Sequence, residues 1–241
     1  IVHSVNYPDC DMGVCTTAGR ITLLHKNIPN SLGRFTAVIA GENLNIAGLS
    51  NTKKMLLAPD GIKPENWRDR VMDEGVKTSL PAFVQRMIEL NLPNSVFVDC
   101  TSDKDIVQYY HMLLDASISV VTPNKVANSG TYSEYLSLQR TALQRGVKFL
   151  YETNVGAGLP IINTIQGLMA SGDKFLKIEA ILSGTLSYIF NNFGPGVRFA
   201  DVVKEAKAKG FTEPDPRDDL SGADVGRKIL ILAREVGVPL E

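Results

Sequence analysis

The feature that most restricts this fold is a regular alternation of short apolar runs and helix-period stretches between residues 96 and 151. Val96-Phe97-Val98 is a buried-strand candidate, and residues 103–116 place Ile106, Val107, Tyr110, Leu113 and Leu114 on one side of a helix. Residues 118–121 give a second strand, residues 131–145 a second helix closed by Gly146, and residues 147–151 a third strand. Strand and helix in strict turn predict a parallel sheet with crossover helices. Upstream, residues 21–25, 32–42 and 44–49 run the pattern once more as strand, helix, strand. Residues 50–94 are polar and broken by Pro59, Gly61, Pro64 and Pro81, with one helix expected over residues 81–90.

After Pro160 the pattern changes. Residues 161–169 are helix-like, opened by a proline near the first turn. Leu176, Ile178, Ala180 and Leu182 alternate with Lys177, Glu179 and Ile181, which predicts a half-buried strand. Residues 201–209 form a short helix ended by Gly210, and residues 221–236 a final one. The domain boundary falls near residue 152. The expected class is α/β, a parallel sheet followed by an α+β domain.

Charge narrows the function. Lys and Arg number 25 against 26 Asp and Glu, a net charge of −1 in 241 residues. That balance leaves no electrostatic footprint for nucleic acid or an acidic membrane surface. A hydrophobic share of 44% excludes wholesale disorder. No apolar run approaches the roughly 18 residues of a membrane helix. Cys10, Cys15 and Cys100 are odd in number and lack C-x-x-C spacing, so a reducing, cytoplasmic setting is expected, with no signal segment ahead of the first strand.

Ligands gather beyond the carboxyl ends of parallel strands. Three such ends carry chemistry. Asp99-Cys100-Thr101-Ser102 offers hydroxyls and N–H groups before a helix, which suits phosphate. Thr122-Pro123-Asn124-Lys125 sets a cation on a proline-stiffened loop. Glu152-Thr153-Asn154-Val155-Gly156-Ala157-Gly158 lets backbone carbonyls approach a ligand or ion. Taken singly, each also reads as capping and turn chemistry. Ser183-Gly184-Thr185 reads as a loop with hydroxyls facing a cleft.

The densest signal lies in residues 210–224, where five carboxylates crowd residues 213–224. Pro214 and Pro216 argue against helix there. Ser221 and Asp224 have the spacing of a capping box. Asp224 and Lys228 stand i, i+4 on one helix face, beside a stripe of Val225, Ile229, Leu232 and Val236 expected to be buried. A lysine so placed can carry a proton to or from a carbonyl oxygen, with an exposed helical ion pair as the plainer alternative.

From about Leu49 to Glu241 the chain resembles homoserine dehydrogenase, above all the form fused to aspartate kinase. The stretches that carry this are Val98 to Ser102, Thr122 to Lys125, Asn154 to Pro160, Ile181 to Thr185, and TEPDPRDDLSGADVGRK. The resemblance implies a Rossmann-like sheet, a homodimer, and NAD(P)H-dependent reduction of the small molecule aspartate 4-semialdehyde to homoserine. It implies catalysis by Lys228 with Asp224, and substrate binding by Glu213, Asp219, Asp224, Thr185 and Gly184. It implies cofactor contacts from Thr101, Ser102, Lys125 and Gly210. Glu152, with the carbonyls of Val155, Ala157 and Leu159, matches the family's sodium site, an oxygen set suited to a hard cation. The family continues beyond a point matching Glu241, so the second domain is expected to be incomplete.

Residues 1–48 fit that family less well. The glycine fingerprint G-x-G-x-x-G that opens a dinucleotide domain occurs nowhere in the chain. The stretch HSVNYPDCDMGVCTTAGRITLLHKNIPNSLGRFTAVIAGENLNIA resembles instead the regulatory ACT region of D-3-phosphoglycerate dehydrogenase, with Asn30 where many relatives have glycine. That resemblance implies serine binding by His25, Asn27 and Asn45. The chain thus reads as a hybrid of an ACT-like segment (1–48), a partial dinucleotide domain (49–152) and a truncated catalytic domain (153–241). A catalytically incompetent hybrid and a serine-binding module are the alternatives to a dehydrogenase.

Overall fold

The computed structural model describes residues 20–25, 44–212 and 215–241. It divides into two compact units, residues 1–154 and 155–241.

The first unit is built on one sheet. Its elements are β1 (Arg20–His25), β2 (Asn45–Ser50), β3 (Lys54–Leu57), α1 (Trp67–Asp73), β4 (Val76–Lys77), α2 (Leu80–Leu90), β5 (Ser95–Cys100), α3 (Tyr110–Asp115), β6 (Ser119–Val121), α4 (Tyr132–Arg145) and β7 (Phe149–Leu150). The strand order is β4-β3-β2-β1-β5-β6-β7. β2, β1, β5, β6 and β7 run parallel to one another, whereas β3 runs antiparallel to both β2 and β4. Of segment 1–48, strand β1 lies in the middle of the sheet, paired with β2 on one side and β5 on the other.

Central strands covered on both faces favour continuous apolar runs. In β5, Ser95, Phe97, Val98 and Asp99 are all buried. Of the stripe predicted for residues 103–116, Ile106, Tyr110, Leu113 and Leu114 are fully buried and Val107 is half-buried. Each large apolar side chain so covered contributes about 1.5–3 kcal/mol. The helix itself is shorter than its pattern: residues 101–106 form turns, Val107–Tyr109 a 3-10 turn, and only then does α3 begin. Asx and hydroxyl turns compete with helix at this point, as Thr101 Oγ1 accepts from the Asp103 amide and Asp103 Oδ1 from the Asp105 amide.

α4 starts at a capping box. The Thr131 hydroxyl accepts from the Glu134 amide, and the Glu134 carboxylate accepts from the Thr131 amide. It ends at Gly146 with φ of 67°, a left-handed residue that glycine adopts without strain. Residues 50–94 hold more order than their breakers imply. The hairpin β2–β3 turns at Asn51, whose side chain accepts from the amides of Lys53 and Lys54. Ile46, Leu49, Leu56, Ile62 and Val71 then close a core over β2 and β3, with Trp67 packed against it.

The second unit holds α5 (Ile161–Ala170), α6 (Gly184–Asn192), α7 (Phe199–Ala208), α8 (Pro216–Leu220) and α9 (Ala223–Glu235). Ile189, Val202 and Ala206 bury the contact between α6 and α7. Three expectations fail here. Residues 176–182 form no ladder, and no strand pairs with them among the described residues. A period-two pattern prescribes a face, yet a strand exists only where a neighbour takes its backbone groups. Leu176 and Ile181 are 97% and 81% exposed as a result. Residues 183–187 are the opening of α6 rather than a loop, because Ser183 caps it by accepting from the Leu186 amide. Pro216 starts α8 instead of preventing helix, since proline suits a first helical position.

Candidate active site

In the first unit, the carboxyl ends of β1, β5, β6 and β7 share one edge of the sheet. The chain leaves β1 for β2 and returns to β5 on the other flank, so a topological switch point lies between β1 and β5. Here His25 is level with Cys100.

The loops leaving β5 and β6 meet around one buried carboxyl group. Asp99 is 0% exposed. Its Oδ1 accepts from the Thr101 amide at 2.7 Å. Its Oδ2 accepts from the Tyr110 hydroxyl at 2.5 Å, from Asn124 Nδ2 at 3.2 Å and from the Thr122 hydroxyl at 3.4 Å. Asn124 Nδ2 also donates to the Asp103 carbonyl, and the Asn124 amide to Thr122 Oγ1. The loop after β7 is tied in as well: Asn154 Nδ2 donates to the Thr122 carbonyl and Asn128 Nδ2 to Asn154 Oδ1. Burial, with Asp99 beside it, drives the Tyr110 phenol far above its usual range and the Cys100 thiol up to about 12.

Of the sequence-predicted cofactor residues, Thr101 and Lys125 are half-buried on these loops and Ser102 is exposed. The Lys125 carbonyl accepts from the amide and hydroxyl of Ser129, which winds the backbone into the 3-10 turn Ala127–Ser129. Gly210, in the second unit, follows α7 at φ of 73° and closes it by donating to the Lys207 carbonyl.

Also in the second unit, Lys228 is held from two sides. Its Nζ lies 2.8 Å from Asp224 Oδ2 and donates at 2.7 Å to the Leu182 carbonyl, with 19% of the side chain exposed. Asp224 is thus a partner of Lys228. The cap of α9 is Gly222, and Ser221 accepts from the Ala223 amide without forming the expected box. The flanking stripe is rotated from its prediction: Ile231 and Leu232 are buried, while Ile229 is 53% exposed. Ile229 lines a cleft of about 580 Å³ between α9 and residues 175–182. The Thr185 hydroxyl donates to the Phe211 carbonyl, joining the start of α6 to the acidic segment. Gly184 is the first residue of α6, and Asp219 sits half-buried on α8. Asp215 caps α8 and forks onto Arg217, whose guanidinium holds the carboxyl down at about 2. Glu213 lies outside the described residues.

Of the effector set, His25 and Asn45 lie on neighbouring strands. β1 and β2 are parallel with Arg20 level with Asn45, so His25 and Asn45 stand at opposite edges of the sheet. Five residues of strand separate them, about 16 Å. Asn27 lies outside the described residues. Of the sodium set, Glu152 opens the 3-10 turn Glu152–Asn154, Val155 is buried, Ala157 is left-handed at φ of 51°, and the Leu159 carbonyl accepts from the Ile161 amide. Among the described residues no cluster of three His, Cys, Asp or Glu side chains could hold a metal ion.

Two family models match the chain. One, described as homoserine dehydrogenase, NAD binding domain, matches residues 36–152, and the other, homoserine dehydrogenase, matches residues 160–241. The chain belongs to the homoserine dehydrogenase family. The dinucleotide-domain match begins inside segment 1–48. A bifunctional aspartokinase/homoserine dehydrogenase of Arabidopsis thaliana, chloroplastic by name, is 50% identical over 200 residues, covering 83% of this chain and 22% of that protein. A homoserine dehydrogenase of Schizosaccharomyces pombe is 40% identical over 206 residues, covering 83% and 54%. The chain therefore spans about half or less of the length of these relatives. Among solved structures, a Candida auris protein of unknown function is similar with a TM-score of 0.80 at 31% identity, covering 92% of this chain and 64% of that one. A hyperthermophilic archaeal homoserine dehydrogenase in complex with NADPH has the same fold, with a TM-score of 0.74 at 21% identity, covering 90% and 69%. The switch-point loops of the first unit are thus those of a family NAD-binding domain.

Sequence reasoning found Asp99, Thr122 and Asn124 as parts of motifs but gave them no role, and it missed Tyr110, Asn128 and Asn154 as partners. The signal available was a polar residue at each strand end followed by a tyrosine inside an otherwise apolar stripe.

Proposed function

We propose that this chain carries the dehydrogenase chemistry of its family, the interconversion of aspartate 4-semialdehyde and homoserine. The observation that carries this is the Lys228 ammonium, pinned between the Asp224 carboxylate and the Leu182 carbonyl. Reduction of an aldehyde creates an alkoxide, and a positioned ammonium supplies the proton that neutralises it. Asp224 keeps that ammonium aimed. Leu182 reaches it from the segment just before the Ser183 cap, so the start of α6 and α9 are held together by the same nitrogen. Asp219 and Asp224, with Glu213, supply negative charge for the substrate's ammonium group, and Gly184 and Thr185 line the same end of α6.

NAD(P)H supplies the hydride when bound. The first unit fits such a cofactor through its donor set: the hydroxyls of Thr101 and Ser102 and the Lys125 ammonium stand on the loops after β5 and β6. The sodium set, Glu152 with three carbonyls, rests on the resemblance, and no step passes through it. The homodimer belongs to the same reading, supported by the exposed apolar side chains of Leu176, Ile178 and Ile181. Among the described residues no helix is long and apolar enough to cross a membrane. A cytoplasmic setting is the reading from cysteine usage, while the plant relatives carry a chloroplastic name.

The test is loss of reduced-nicotinamide absorbance on adding aspartate 4-semialdehyde, with its reversal by homoserine. Activity that survives intact in Lys228→Ala would falsify the assigned role.

A further inference from the structure

We propose that Asp99 is a positioning residue, whose buried carboxyl group fixes the β5 and β6 loops and so sets Thr101 and Lys125 for the cofactor. This rests on the dehydrogenase reading. Asp99 touches neither cofactor nor substrate in that reading, and it acts through the loops it holds.

The geometry is that of a hub. All four partners of Asp99 donate to it, which matches a carboxylate, an acceptor at every lone pair. They come from three stretches of chain: the turn after β5, the first residue of α3, and the loop after β6. Asp99, Tyr110, Thr122 and Asn124 are between 0% and 4% exposed, so water cannot replace a missing partner. The Thr101 amide is bound by Oδ1 alone among these contacts, and Asn124 reaches on to the Asp103 carbonyl. Thr101 is therefore held by Asp99 directly, and Asp103 by Asn124, which is itself bound to Asp99. Asn124 in turn accepts from the Val126 amide, which spans Lys125. The ring of Tyr110 packs edge-on to Phe149, anchoring the hub to β7.

Asparagine at position 99 has the same shape but must point an N–H₂ group at one of these donors. Turned toward Thr101, it opposes the amide. Turned the other way, it opposes Asn124 Nδ2. Either orientation frees one of the two cofactor loops.

The test compares the parent chain with Asp99→Asn. Without cofactor, amide hydrogen exchange over residues 101–105 and 122–126 should speed up by about tenfold or more, while Val98 and Val120 keep their protection. With cofactor, the KM for NADPH should rise about tenfold and that for the aldehyde stay within about twofold. If Asp99→Asn does not fold, Tyr110→Phe removes one donor and keeps the carboxyl group, with about a threefold rise in exchange expected in the same loops. Leu138→Ala loosens the buried side of α4 without touching the hub. Unchanged exchange in folded Asp99→Asn or Tyr110→Phe overturns the proposal, as does a Leu138→Ala variant that raises the NADPH KM equally. A parent chain that oxidises no NADPH overturns the dehydrogenase reading instead, and the exchange comparison still decides the role of Asp99.

Discussion

Lys228 Nζ lies 2.8 Å from Asp224 Oδ2, one helical turn away on α9. An i, i+4 pair on an open helix face is worth a few tenths of a kcal/mol and is easily screened. This one differs because the lysine also donates to a carbonyl from residue 182 and keeps only 19% of its side chain in water. Asp224→Asn leaves the nitrogen held by the carbonyl and removes the charge that keeps it aimed. The kcat should fall by about tenfold to a hundredfold, against about a hundredfold to ten-thousandfold for Lys228→Ala, with the NADPH dissociation constant unchanged in both. Steady-state kinetics with a separate cofactor titration reads the two effects apart. Equal losses in the two variants would show that Asp224 does more than hold the lysine.

Cys100 ends β5 beside Asp99, and burial pushes its thiol up to about 12 from 9.0. The folded state thus favours the neutral thiol. That contribution to stability is complete below about pH 9 and is lost as pH rises toward 12. Alkylation of Cys100, followed by mass spectrometry of its peptide at pH 8, should be slow in the folded chain and fast after denaturation. Rapid modification of the native chain at that pH would mean that the β5 end opens to solvent.

The first unit was largely legible in the sequence because strands such as β2 and β5 are buried on both faces. Val96-Phe97-Val98 and residues 118–121 are apolar runs that admit few other readings, and the stripe from Ile106 to Leu114 names its own buried side. Lys228 and Asp224 were legible for a similar reason: a helix fixes i, i+4 neighbours without help from the rest of the fold. What could not be read depends on distant partners. The pattern of residues 176–182 prescribes a strand, but no neighbouring strand among the described residues takes its hydrogen bonds. The buried polar hub joins residues 99, 110, 122 and 124, whose meeting is set by strand order rather than by spacing. The spacing of His25 and Asn45 is set in the same way, since parallel pairing of β1 and β2 sends the two residues to opposite edges.

The capping box of α4 makes a stability prediction. Thr131→Ala removes the hydroxyl that accepts from the Glu134 amide and donates to the Glu134 carboxylate. The expected cost is about 1 kcal/mol. Chemical denaturation should show a lower midpoint with the slope unchanged. Thr131→Ser keeps the oxygen and should restore most of the loss. If Thr131→Ala were neutral, the hydrogen bonds at this helix start would be replaced by water at no cost.

Asp215 caps α8 through the Arg217 amide and forks onto the Arg217 guanidinium, which together hold its carboxyl near 2 rather than 3.8. Its folded value lies below its unfolded one, so the folded chain binds the proton less readily. The resulting stability is fully present above about pH 4 and is lost as pH falls through 2. Asp215→Ala should therefore melt below the parent at pH 6, and the gap should close between pH 4 and pH 2 as the parent's carboxylate is protonated. Because both groups are solvent-exposed, part of the gap should also shrink with added salt. Arg217→Ala provides the check on cause. It removes the guanidinium while leaving the capping oxygen, so it should shift the acid limb of the melting profile upward in pH without abolishing it. A gap between parent and Asp215→Ala that stayed constant from pH 6 to pH 2 would assign the effect to the side chain's shape and not to its charge.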